Sequence, residues 1–217
     1  MLRLTEIKLP LDHAQGEIKT TVLKKLGIVD DDLIRFEIFK RGVDARKRHA
    51  ILFVYTLDVE VKNEAKLLGK FKKDAHVKPA PDTSYKFVAK APSPQPSPTR
   101  GEGVKSTSRP VIVGFGPAGI FAALILAQSG FKPIVLERGK AVKERTKDTW
   151  DFWQKGSLNP ESNVQFGEGG AGTFSDGKLY SQIKDPKHYG RKVLEEFVKA
   201  GAPEEILYDS HPHPGPR

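Results

Sequence analysis

The spacing of apolar residues changes twice along the chain. In the first stretch, Leu2, Leu4 and Ile7 to Leu9 predict a strand that Pro10 ends. Ile18, Val22, Leu23 and Leu26 follow at helical spacing, and Gly27 is placed to stop that helix in a left-handed conformation. Phe36-Glu37-Ile38-Phe39-Lys40 alternates as a half-buried strand, and Ala50 to Val61 predicts a longer one. Lys62 to Phe71 predicts a second helix, and Tyr85 to Ala89 a last short strand. The order β-α-β-β-α-β over residues 1–90 is that of a ferredoxin-like split βαβ domain, an α+β arrangement.

The pattern then breaks. Ala91-Pro92-Ser93-Pro94-Gln95-Pro96-Ser97-Pro98 places a proline at every second position. Alternating prolines fix φ and remove backbone donors, so residues 91–109 are expected to be an extended, protease-sensitive linker. The spacing is Pro-x-Pro and not the PxxP of a proline-motif ligand.

A third pattern begins at Pro110. The apolar strand Val111-Ile112-Val113 runs into Gly114-Phe115-Gly116-Pro117-Ala118-Gly119. An apolar helix over Ile120 to Gln128 follows, then a second strand over Phe131 to Arg138. Gly114 permits the tight turn, and Gly116 lets backbone N–H groups approach a pyrophosphate. Gly119 lets the helix lie close to the strand with its N-terminus facing the phosphates. Glu137 follows Gly114 by 23 positions, close to the roughly 20 expected of an acid that accepts hydrogen bonds from an adenosine ribose. Strand, glycine turn, helix, strand and acid together predict a dinucleotide site in a Rossmann-like domain over residues 110–217. An NAD(P) site is the near variant. Glu137 would repel a 2′-phosphate, so NADP is the least favoured occupant.

Downstream, Val142 to Gln154 predicts a polar helix in which Trp150, Phe152 and Trp153 serve as packing groups. Five glycines fall within residues 167–177, interleaved with Thr173, Ser175 and Lys178, which suits close backbone approach to a bulky ligand.

Composition narrows the chemistry. The 217 residues contain no cysteine, which excludes a disulfide framework, thiolate metal sites and a cysteine nucleophile. His13, His49 and His76 have no ligand spacing, so no metal site is expected. The first 12 residues alternate charged and apolar types unlike a signal peptide, and no apolar run is long enough to span a bilayer, so a cytoplasmic location is expected. The formal net charge is +9. Residues 1–90 hold 19 Lys/Arg against 13 Asp/Glu, and six of the ten residues Lys40 to His49 are cationic or titrate to cations. A solvated hairpin connection accounts for that run better than an anion-binding loop, and a mildly basic surface is favoured over a nucleic-acid footprint.

The two glycine segments carry a resemblance. Gly114-Phe115-Gly116-Pro117-Ala118-Gly119 with Glu137-Arg138-Gly139, then Phe166-Gly167-Glu168-Gly169-Gly170-Ala171-Gly172-Thr173-Phe174-Ser175-Asp176-Gly177-Lys178-Leu179, resembles a bacterial family of uncharacterised FAD-dependent dehydrogenases. Ile38-Phe39-Lys40-Arg41, Asp44 to Lys47 and Phe53-Val54-Tyr55 are similar to that family's leading domain. The resemblance implies a two-dinucleotide-binding-domain flavoprotein fold. It implies FAD as cofactor, NAD(P)H as electron donor in full-length relatives, and a small-molecule substrate. It places the FAD pyrophosphate at Gly114, Gly116, Pro117, Ala118 and Gly119, the ribose on Glu137, and Arg138 beside the adenine. It brings Gly169, Gly170, Ala171, Gly172, Thr173 and Ser175 towards the pyrophosphate and ribityl–flavin region. It names no catalytic residue. Family members are longer, and near the C-terminus only Pro212, His213 and Gly215 fit their pattern. The expectation is therefore an incomplete FAD-binding domain whose C-terminal part is missing. The alternative expectation is a non-enzymatic binding module or inactive fragment whose basic N-terminal domain engages nucleic acid or a protein partner.

Overall fold

Period-two alternation slips once in the first strand, and the backbone absorbs the slip. In β1 (Leu2–Pro10), Leu2 and Leu4 occupy even positions while Ile7 and Leu9 occupy odd ones, yet all four are buried. A register shift between Leu4 and Ile7, with Glu6 at φ 58°, turns both pairs to the same side. The computed structural model describes residues 1–47, 49–90, 109–179 and 183–211. The linker expected over 91–109 lies outside these except for Arg109, as do the C-terminal positions Pro212, His213 and Gly215.

β1 pairs antiparallel with β3 (Leu52–Val61) and β4 (Val77–Pro79), and β3 pairs antiparallel with β2 (Leu33–Asp44), giving the order β2-β3-β1-β4. Helices α1 (Gln15–Leu26) and α2 (Glu64–Lys70) contribute Ile18, Val22, Leu26 and Leu67 to a core shared with Leu4 and Leu57. Gly27 ends α1 at φ 62°, donating its N–H to the Leu23 carbonyl at 2.8 Å. An antiparallel sheet with helices between its strands makes the chain mixed α/β and consistent with α+β.

Two sequence expectations need correction here. The last strand is β4 and not Tyr85 to Ala89: Val77 is buried where β4 runs beside Leu2 to Leu4, whereas Val88 is 91% exposed. The basic run does not start as a loop either, because β2 extends through Asp44. Two of its cations are paired: Arg41 Nε lies 2.8 Å from Asp209 Oδ1, and Arg46 Nη2 lies 2.6 Å from Asp44 Oδ2. Elsewhere on the sheet Arg3 and Arg35 are paired with Asp58 and Glu60.

Backbone contacts divide the chain into two units. One takes the described residues of Met1–Tyr85 and Lys178–Gly215, the other those of Lys86–Gly177. Residues 178–211 thus join the N-terminal sheet instead of completing the expected 110–217 domain. The cause is a set of specific contacts. Residue 209 forms a parallel bridge with Arg41, with Arg41 N–H donating to Tyr208 O at 2.6 Å and Ser210 N–H to Arg41 O at 2.9 Å. The Phe39 ring meets His188 edge-on, and the Arg191 guanidinium of α5 (Tyr189–Lys199) lies 5.5 Å from its centroid.

In the second unit, β5 (Val111–Val113) and β6 (Ile134–Leu136) pair in parallel, with α3 (Pro117–Gln128) connecting them. Val111, Val113, Ile134 and Leu136 are exposed along this two-stranded sheet. α4 (Val142–Lys155) follows, then a single 3-10 turn over Gly170–Phe174. Trp150 packs edge-on against Trp153, and Trp153 against Phe174, while both tryptophans and Phe152 stay partly exposed; the residues that α4 buries are Arg145 and Thr149. Among the described residues no helix is long and apolar enough to cross a membrane.

Candidate functional site

The glycine turn closes where both parallel strands end. Gly114 leaves β5 at φ 95° and donates its N–H to Leu136 O at 2.7 Å, tying the two strand ends together. Gly116 caps α3 and Pro117 opens it, the position at which a fixed φ and a missing donor cost nothing. At Gly119 a Cβ would collide with the Gly114 carbonyl oxygen and stand 2.9 Å from its carbon, so only glycine lets α3 sit on the strand end. At Gly116 a Cβ would make an ordinary contact, 3.8 Å from the Gly170 Cα, so that glycine answers to what lies outside the turn.

Glu137, at the end of β6, turns its carboxylate inward. Oε2 accepts from Phe115 N–H at 2.6 Å and Oε1 from Gly139 N–H at 2.8 Å. The sequence assigned this side chain to a ribose; in the folded chain it braces the glycine turn. The Gly139 N–H bond chiefly, together with that from Phe115, holds the carboxyl below the usual glutamate range against the opposing effect of burial. A carboxyl depressed on folding contributes stability above its unfolded pKa that is lost as pH falls. Acidification below about pH 4.3 is therefore expected to destabilise the second unit, and Glu137→Gln to flatten that slope. Both tryptophans of the chain lie in α4, so their fluorescence during urea unfolding at several pH values reads this unit.

Across from Glu137 runs the second glycine segment. Gly169 N–H donates to Phe115 O at 2.8 Å, and Glu168 N–H to Lys140 O at 3.1 Å. A Cβ at Gly139 would strike the Gly167 backbone nitrogen, so the two chains touch backbone to backbone. Between them lies a cavity of about 270 Å³ lined by Val113, Gly114, Gly116, Glu137, Phe166 and Gly170, among others. Of the sequence-assigned residues, Gly114, Gly116, Glu137, Arg138 and Gly170 line it. Pro117, Ala118 and Gly119 form the first turn of α3 instead. Gly169, Ala171, Gly172 and Thr173 build the adjoining loop and 3-10 turn, which Ser175 caps. The Arg138 guanidinium lies 4.2 Å from the Phe166 ring centroid, and its Nε is 2.9 Å from Glu161 Oε2.

Arg145 was not legible as a site residue. It is 0% exposed, and it gathers the loop by donating to Asn163 O (2.8 Å), Glu168 O (2.6 Å), Val164 O (2.6 Å) and Thr173 Oγ1 (3.2 Å). No pattern of residue types along α4 marked it in advance. Among the described residues no group of acidic and histidine side chains is arranged to hold a metal ion.

In comparison with known proteins, residues 1–60 match the model of a domain of unknown function (DUF8436). An uncharacterized protein of Clostridium beijerinckii is 46% identical over 214 residues, which are 99% of this chain and 38% of that protein. The chain therefore spans less than two-fifths of the length of that relative.

Proposed function

We propose that the second unit is the Rossmann-like, adenosine-diphosphate-binding end of an FAD site in a flavin-dependent oxidoreductase, and that the N-terminal unit is a ferredoxin-like domain. One observation carries this reading: a cavity at the carboxyl ends of two parallel strands, bounded by a glycine turn, a helix N-terminus and an acid on the second strand. Ligands of open parallel sheets bind at that place. The similarity of the two glycine segments to FAD-dependent dehydrogenases supports the same reading.

The residues fit the group. Gly116 leaves room for a phosphate against the start of α3, whose partial positive charge favours an anion. The Glu137 carboxylate accepts from Phe115 and Gly139 N–H at the rim of the cavity, where a ribose hydroxyl would be a further donor. The cavity volume of about 270 Å³ falls below the roughly 300–1,000 Å³ of complete small-molecule sites, so it suits a nucleoside end and not a whole dinucleotide. When bound, FAD supplies hydride and electron-transfer chemistry at its flavin ring. This chain's described residues bind and orient its far end.

The test is an absorbance spectrum of the purified chain followed by FAD titration with ADP and riboflavin as competitors. Saturable FAD binding that ADP displaces and riboflavin does not is the expected result. Displacement by riboflavin alone would move the site away from the glycine turn, and absence of binding by a folded chain would overturn the reading.

A further inference from the structure

Arg145 presents an unusual electrostatic state. Fully buried cations are nearly always paired with a carboxylate. Arg145 has no carboxylate within ion-pair distance among the described residues; its hydrogen-bond partners are three carbonyls and one hydroxyl. Burial pushes its pKa down, and the field of Glu137 pushes it up. The guanidinium lies one peptide layer behind the loop: a Cβ on Gly169 would stand 3.9 Å from Nη1. On its other side the same loop meets the glycine turn, through Gly169 N–H to Phe115 O and through Gly170, where a Cβ would stand 3.1 Å from the Gly116 Cα.

We propose that Arg145 is a positioning residue for a nucleoside diphosphate in this cavity, fixing the 163–170 loop with its fork of donors and attracting the diphosphate with its unpaired charge. This rests on the dinucleotide reading above. The two contributions separate chemically. Drawing the carbonyls of Asn163, Val164 and Glu168 inward requires the planar five-donor fork, which lysine lacks. Attraction of phosphate requires only a positive charge, which lysine keeps.

The experiment uses the full chain, with ADP and adenosine as probes and hydrogen exchange as the readout of the loop. In Arg145→Lys the amides of residues 163–170 lose protection, while the preference for ADP over adenosine is retained. In Arg145→Met protection is lost and that preference falls about tenfold or more, as expected on removing one charge behind the diphosphate at the effective dielectric of a protein. A purely structural arginine would leave the ADP-to-adenosine ratio unchanged in both variants, and that result overturns the proposal. Unchanged protection in Arg145→Lys also overturns it. If neither variant folds, the unmodified chain decides: millimolar inorganic pyrophosphate should slow exchange over residues 163–170, and no slowing sinks the proposal. Failure of the dinucleotide reading is distinguishable, since the unmodified chain would then bind neither ADP nor FAD.

Discussion

Gly119→Ala is expected to destabilise the second unit by about 3 kcal/mol and to abolish nucleotide binding. Two effects compete. Gly119 lies in the first turn of α3, where alanine is favoured over glycine by up to about 1 kcal/mol on helix propensity alone. Against this, the added Cβ meets the backbone of Gly114, whose N–H is tied to β6 and which cannot swing aside as a side-chain tip would. Relief requires α3 to lift from the strand end, which moves the helix N-terminus away from the cavity. The clash wins. Gly69→Ala in α2 is the matched control, because nothing lies within 4 Å of its Cβ position. It should stabilise by up to about 1 kcal/mol. Urea unfolding of both variants, with ADP titration at the same concentrations, measures the contrast. Equal stabilisation by the two alanines would show that α3 does not depend on close approach at Gly119.

Leu57→Ala should cost the N-terminal unit about 2–5 kcal/mol, the range for truncating a fully buried leucine. Leu57 is 0% exposed at the centre of β3, opposite Leu4 of β1 and Ile38 of β2. Its removal leaves a cavity that strands held from both sides cannot collapse to fill. For a domain of this size the loss corresponds to a fall in Tm of about 10–25 °C. Val43→Ala, at a position 60% exposed on the same sheet, should stay within about 0.5 kcal/mol. Circular dichroism melts of the two variants compare them directly. A small effect at Leu57 would mean that the core relaxes around the gap.

The elements of this fold were legible wherever one local signal sufficed. Gly27 marked the end of α1, and the glycine turn placed β5, α3 and β6 to within a few residues. What sequence patterns missed depended on distant partners. The basic run after Lys40 read as a hairpin connection, but Arg41 extends β2 with Asp209 beside it, 168 residues further on. The fourth strand was placed at Tyr85 to Ala89, while the sheet took the shorter segment at Val77. In the site, the turn glycines and Glu137 were legible from spacing. Arg145 was not, because a buried arginine satisfied by carbonyls has no signature in residue types: every partner but Thr173 is a backbone group. The glycines at 167 and 169 were read as room for a ligand. Gly167 makes room for Arg145, whose side chain a Cβ there would strike, and Gly169 makes room for the Thr173 hydroxyl.

The exposed residues of the parallel pair have a thermodynamic consequence. Val111, Val113, Ile134 and Leu136 stay in contact with water along β5 and β6, and α3 buries none of its residues fully. The heat-capacity increment of unfolding follows the apolar area newly hydrated, about 0.45 cal/mol/K per Å². Surface that is already wet contributes nothing to it. The second unit is therefore expected to show a small increment for its length, a flat stability curve and a shallow response to urea. Its folded population changes gradually with temperature, whereas the N-terminal sheet, with Leu4 and Leu57 sealed from water, melts over a narrow range.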